Sequence, residues 1–255
     1  MPNNLEKQQA FFTPIKRSQL ETHQQGPNPM QQSLFGSLAA SDTATAESTT
    51  QPFDRLSLEE AVFTVLDLET TGLNAKKSAI TEVTAIQFRN GVEIGKYSTL
   101  VKPTESIPEE VELLTGISND MVKNAPALIM VLSELSGFIG EAPIIVGHNV
   151  AFDIGFLQEK VTQNGLSVFF DRYALNRAFC TKVLAQRALP SLPSYEGIVV
   201  ATAIGYHNAN PHRAESDVRM SASILFELIK RLQEQDPGMK TVQHLLDYQG
   251  ILSER

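Results

Sequence analysis

The sequence predicts an α/β fold, a mixed sheet with helices on both faces. Three observations carry this. Apolar segments over Val62–Leu68, Ile80–Phe88 and Val92–Val101 alternate as three consecutive strands would. Pro143-Ile144-Ile145-Val146-Gly147 is short and wholly apolar, the pattern of a strand buried on both faces. After it, apolar residues recur at a helical period, most clearly at Val218, Leu225, Leu228 and Leu232, with Ser221 on the same face.

In chain order, the first strand runs into two acids, Asp67 and Glu69, and breaks at Thr70-Thr71-Gly72. Arg89-Asn90-Gly91 joins the next two strands as a hairpin, because Asn-Gly tolerates positive φ. Pro108–Leu114 reads as a helix closed by Thr115-Gly116, and Ala127–Ile139 as a second, with Leu128, Val131, Leu132, Leu135 and Phe138 at its period. Asn149 is expected to cap a helix ending at Asn164-Gly165. A weaker strand follows at Ala178–Thr181, then helices near 182–188 and 194–204, and a long one from Arg213 to Leu232.

Residues 1–56 are rich in Gln, Ser, Thr, Asn and Pro and bury too little apolar surface to offset their ordering entropy, so a disordered tail is expected there. Two islands interrupt it, Gln8–Phe12 and Gln31–Phe35. The domain is expected to span 57–235, with a short, partly helical tail over 236–255 in which Val242, Leu245 and Leu246 suggest an amphipathic turn or two.

The net charge of −8 gives no overall attraction to a phosphate backbone, which argues against a tight duplex binder but not against an enzyme gripping a few nucleotides. One cysteine, Cys180, excludes an internal disulfide framework and a cysteine-rich zinc site, and fits a cytoplasmic location. No run approaches 18 apolar residues and the start lacks the apolar core of a signal peptide, so no membrane association is expected.

Three segments carry chemistry. Asp67 and Glu69, two apart on a strand, share a face with Phe63 and Val65, while Leu66 and Leu68 point the other way. Like charges held that close resist ionising together, and a divalent cation relieves them; a solvated pair of strand-end acids is the plainer alternative. Asn149 and Asp153 are four apart, on one face of the new helix, with Phe152 beside the acid. His212 lies just before the last long helix, and Glu215 and Asp217 have equal claims by composition. Phosphodiester hydrolysis by two metal ions needs several carboxylates around ions roughly 4 Å apart, and a base for the attacking water. Asp67, Glu69, Asp153 and Asp217 supply oxygen ligands suited to Mg²⁺ or Mn²⁺, His212 a base, and Phe152 a ring for stacking a terminal nucleobase.

Asp67-Leu68-Glu69-Thr70-Thr71-Gly72, His148-Asn149-Val150-Ala151-Phe152-Asp153 and Pro211-His212-Arg213-Ala214-Glu215-Ser216-Asp217 resemble the three motifs of the DEDDh, or DnaQ-like, 3′–5′ exonucleases, a family that includes the proofreading epsilon subunit of bacterial DNA polymerase III. Leu114–Pro126 also resembles a family segment, and the resemblance covers about residues 60–232. It implies a ribonuclease-H-like fold with five strands, three antiparallel and then two parallel. It further implies two divalent cations, bridged by Asp67, with Glu69 and Asp217 on the tighter ion and Asp153 on the second. By the same resemblance His212 takes the proton of the nucleophilic water, Asn149 organises the site, and Thr70, Thr71, Gly72 and Phe152 contact the 3′-terminal nucleotide. The expected substrate is single-stranded or frayed DNA, in proofreading or repair, cut to 5′-mononucleotides. RNA 3′-trimming is the alternative within the fold, and an inactive DNA- or clamp-binding adaptor the alternative outside it. Cys180-Thr181 stands where family members often have Asp-Thr, Leu192–Val200 is less typical, and the long N-terminal tail is not a usual part of the epsilon subunit. Within that tail Gln31, Ser33, Leu34 and Phe35 resemble a sliding-clamp-binding peptide, and a replicative polymerase is a further expected partner.

Overall fold

The computed structural model describes residues 53–141, 143–207 and 212–252. Its frame is a five-stranded sheet in the order β3-β2-β1-β4-β5. β1 (Val62–Thr70), β2 (Ile80–Arg89) and β3 (Val92–Leu100) run antiparallel, and β4 (Ile144–Gly147) and β5 (Phe179–Cys180) extend the sheet in parallel. This is the predicted mixed sheet, three antiparallel strands followed by two parallel ones. The β2–β3 hairpin turns through Asn90 and Gly91, both at positive φ (48° and 74°), as the Asn-Gly pair suggested.

Between β3 and β4 lie α1 (Glu109–Thr115), α2 (Asn119–Val122) and α3 (Leu128–Ile139). Then come α4 (Ala151–Gln163), α5 (Thr181–Ala188), α6 (Gly197–Ala203), α7 (Ala214–Gln235) and α8 (Val242–Gln249). Two 3₁₀ segments, Ser167–Tyr173 and Leu175–Arg177, link α4 to β5. They have no 3.6-residue apolar period, which is why the sequence did not foretell them.

The alternation along β1 sorts the core into two layers. Phe63 and Val65 pack with Val218, Ala222 and Leu225 of α7, while Leu66 and Leu68 pack with Leu132 and Leu135 of α3 and Ile154 and Leu157 of α4. Phe63 meets Phe226 edge-on at 5.9 Å between ring centroids. A wholly buried side chain of this size contributes about 1.5–3 kcal/mol. β1 therefore carries apolar side chains on both faces until its acidic end.

The fold reaches beyond both expected boundaries of the domain. Residues 53–56, expected in the disordered tail, are paired: the carbonyls of Phe53 and Leu56 accept from the N–H groups of Gln243 (3.0 Å) and Val242 (2.9 Å). Residues 236–255 hold α8, whose Val242 and Leu245 are wholly buried in the α7 layer. Gln249 treats the outer edge of β5 as a strand would, accepting from Cys180 N–H at 2.7 Å and donating to the Ala178 carbonyl at 2.9 Å. The Gln8–Phe12 island, the expected clamp peptide with Gln31, Ser33, Leu34 and Phe35, and the rest of the chain up to residue 52 lie outside the described residues. Among the described residues no helix is long and apolar enough to cross a membrane.

Candidate active site

Three carboxylates converge where β1 ends. One oxygen each from Asp67, Glu69 and Asp217 lies within 4.8 Å of the others. β1 continues through Thr70, so Asp67 and Glu69 keep strand alternation and both emerge on the face that α7 covers. Asp217 comes from the first turn of α7, where the helix dipole favours an acid. It also holds the chain before the helix: its Oδ2 accepts from His212 N–H at 2.9 Å. His212 itself is exposed and has a φ of 62°, a left-handed backbone at the entry to α7.

Asp153 arrives from the opposite layer. It is 3% exposed, and its Oδ1 accepts from Leu68 N–H at 3.1 Å, between the two acids of β1. The β1–β4 pairing ends at Val65 with Val146, so Asp153 serves the strand edge that β4 has left. It stands beside the trio rather than within it.

Asn149 does not cap α4. The helix starts at Ala151 behind Val150 with no side-chain cap, and Asn149 is exposed with φ 69°. Asparagine tolerates that left-handed conformation, and the chain uses it to turn from β4 into α4 instead of starting the helix there. Asn149 and Asp153 consequently do not share a helix face. Phe152 is half-buried, its ring 4.8 Å from that of Phe156.

The turn after β1 is tied shut. Thr70 Oγ1 donates to the Gly72 carbonyl at 2.7 Å, and Thr71 N–H donates to the Ala79 carbonyl at 2.9 Å. Thr71 Oγ1 accepts from Ala79 N–H at 2.9 Å and donates to Glu105, a residue that sequence reasoning passed over. Gly72 packs closely on Ser78: a Cβ there would sit 2.8 Å from Ser78 Oγ, so any side chain would have to turn that hydroxyl away.

Sequence reasoning also missed Glu82 and Arg213. Glu82 pairs directly with Glu69 across β1 and β2, and the Arg213 guanidinium binds its carboxylate at 3.0 Å. The equal claims of Glu215 and Asp217 are settled by partners. Glu215 is taken by Lys96 (3.1 Å) and Arg219 (2.8 Å), leaving Asp217 with Asp67 and Glu69. His148, beside Asn149, bridges Thr181 Oγ1 and the Tyr195 carbonyl, each at 2.9 Å; because a carbonyl only accepts, Nε2 carries the hydrogen.

The electrostatics are those of crowded acids. Burial, then the charges of Asp153, Glu69, Asp217 and Glu82, push Asp67 well above the usual carboxylate range. Burial, then Asp217 and Glu82, raise Glu69 to about 7, with Arg213 pulling the other way. Burial raises Asp153 as well, opposed by the Leu68 N–H bond. A cluster of hard oxygen donors that resist sharing negative charge fits a divalent cation of the Mg²⁺ or Mn²⁺ type.

The exonuclease family profile matches residues 64–225, from β1 into α7. The chain is 34% identical over 178 residues to the DNA polymerase III subunit epsilon of Aquifex aeolicus, covering 70% of this chain and 85% of that protein. It is 31% identical over 185 residues to the 3′–5′ exonuclease DinG of Bacillus subtilis, covering 72% of this chain and 19% of that one. A Mycobacterium tuberculosis relative is 34% identical over 235 residues, and the chain spans only 35% of its length. In fold, it is similar to Escherichia coli exonuclease I in complex with a dT13 oligonucleotide (TM-score 0.60, 18% identity, 69% of this chain and 42% of that one). It is also similar to exonuclease X in complex with 5′ overhanging duplex DNA (TM-score 0.54, 21% identity, 74% and 99%). With the profile spanning most of the described residues and the three acidic motifs assembled at one strand end, the chain belongs to the DnaQ-like 3′–5′ exonuclease family.

Proposed function

We propose that this protein removes nucleotides one at a time from the 3′ end of single-stranded or frayed DNA, releasing nucleoside 5′-monophosphates, in proofreading or repair. The observation that carries the reading is the convergence of Asp67, Glu69 and Asp217 within 4.8 Å, with Asp153 bonded to the strand between the first two. Asp67, Glu69, Asp217 and Asp153 would hold two divalent cations, Mg²⁺ or Mn²⁺. Those ions would supply charge neutralisation at the scissile phosphate and a more acidic bound water.

The remaining work belongs to the chain's own side chains. His212, exposed beside Asp217, accepts the proton of the attacking water. The tied turn Thr70-Thr71-Gly72 offers backbone groups as a wall for the terminal nucleotide, Phe152 packs against its base, and Asn149 lines the approach. DNA is favoured because exonuclease I and exonuclease X, similar in fold, are described bound to DNA. A polymerase partner is favoured by the likeness to an epsilon subunit, and a sliding clamp by Gln31, Ser33, Leu34 and Phe35. The test is digestion of matched 5′-labelled DNA and RNA oligonucleotides with Mg²⁺. Shortening of DNA from the 3′ end with release of 5′-mononucleotides is expected, and rapid loss of RNA beside intact DNA would replace DNA as the substrate.

A further inference from the structure

Glu82 stands next to the proposed metal ligands, yet its oxygens are committed elsewhere. Its register position opposite Glu69 sets the two side chains on one face of the sheet. The side chain is only 8% exposed. Oε1 accepts from Arg213 Nη2 at 3.0 Å, and Oε2 accepts from Ala214 N–H at 3.1 Å and from Arg213 Nε at 3.4 Å. All three donors come from the two residues at the start of α7. That start has no side-chain cap of its own, so a carboxylate from β2 does across the sheet what an N-cap does locally. The two residues it grips lie between His212 and Asp217, and Asp217 closes back on His212 N–H.

We propose that Glu82 is a positioning residue: by clamping Arg213 and the Ala214 N–H it sets where His212 and Asp217 stand against Asp67 and Glu69. The proposal rests on the catalytic reading of those four residues given above. Glu82 does not itself hold metal. Arginine is required opposite it, because only a guanidinium presents two parallel donors to a carboxylate while the backbone supplies a third. A misplacement of the helix start by a fraction of an ångström then lowers turnover without weakening the grip on substrate.

The test uses the full chain and the variants Glu82→Gln, Arg213→Lys and Arg213→Ala. Glu82→Gln keeps the shape and one acceptor but loses the charge. It should lower kcat between about tenfold and about 100-fold, leaving KM for a single-stranded oligonucleotide and the Mg²⁺ requirement near wild type. Arg213→Lys should match it, and the double variant should be little worse than either single change. Guanidinium ions should restore part of the turnover of Arg213→Ala, whose site is 43% exposed in the wild type. In metal-free protein, amide exchange at Ala214 should accelerate in Glu82→Gln while the middle of α7 stays protected. Normal kcat regained at high Mg²⁺ would make Glu82 a metal ligand and overturn the proposal. Wild-type turnover with a lowered Tm would overturn it too, reducing the pair to a fold brace. A wild type that leaves all 3′ ends intact would bring down the catalytic reading and this proposal together. An active wild type beside equally active variants would bring down this proposal alone.

Discussion

The Asp153 carboxylate accepts a hydrogen bond from the backbone N–H of Leu68 at 3.1 Å, so α4 is anchored to β1 at the residue between Asp67 and Glu69. A buried acid thus serves two ends: it satisfies a strand N–H and adds negative charge where three other carboxylates already meet. The two services separate on substitution. In Asp153→Asn the amide oxygen still accepts from Leu68, while the charge is gone. We expect hydrolysis to fall by roughly 100-fold or more, and the metal-free protein at pH 8 to melt at or above the wild-type temperature. A Tm several degrees lower would show that the charge, and not only the acceptor, supports the fold.

The raised carboxylates make the metal-free protein pH-sensitive in a defined direction. Glu69 moves from an ordinary 4.5 to about 7 on folding. Between those values the native state holds more protons than the unfolded chain, so its stability is fully present below the unfolded pKa and declines as pH rises through about 7. Thermal melts without metal should give a higher Tm at pH 5.5 than at pH 8. Added Mg²⁺ or Mn²⁺ should raise Tm more at pH 8 than at pH 5.5, because at the lower pH protons compete for the same oxygens. Glu69→Gln should flatten the metal-free slope. A Tm that climbs steadily from pH 5.5 to pH 8 without metal contradicts this.

His212 touches Asp217, one of the proposed metal ligands, through its backbone N–H, a bond that replacing the ring by alanine leaves in place. His212→Ala should therefore reduce turnover by about 10²–10⁴-fold with calorimetric Mn²⁺ affinity close to wild type. A parallel collapse of Mn²⁺ affinity would move His212 from base to ligand support.

Gln249 gives a prediction remote from the chemistry. Gln249→Ala strips the acceptor from the buried Cys180 N–H and the donor from the Ala178 carbonyl. The loss should be about 1–3 kcal/mol, read by denaturant unfolding, with turnover at low temperature unchanged.

Local pattern made much of this molecule legible. Alternation placed β1 to β3, Asn90-Gly91 placed their hairpin, and of the acids in the three motifs the structure gathers Asp67, Glu69 and Asp217, with Asp153 beside them. The misses share a physical cause. Glu82 looks like a routine polar residue in an alternating strand, and its partner lies 131 positions away. Gln249 is an amide in an amphipathic turn until its contact with Cys180, 69 positions distant, is seen. Asn149 is a good helix cap by residue type, but the turn from β4 needed its tolerance of positive φ more. Pairings across large sequence separations and backbone sign choices leave little trace in a local window.

Metal-dependent hydrolysis at Asp67 is best tried by 3′-end digestion of a 5′-labelled single-stranded DNA with the wild-type chain and with Asp67→Ala, each with Mg²⁺ and with chelator. We expect a ladder shortening from the 3′ end with Mg²⁺, none with chelator, and a loss of roughly 1,000-fold or more in Asp67→Ala with the fold intact by circular dichroism. Undiminished digestion by Asp67→Ala, or digestion that persists in chelator, would contradict the assignment of this site.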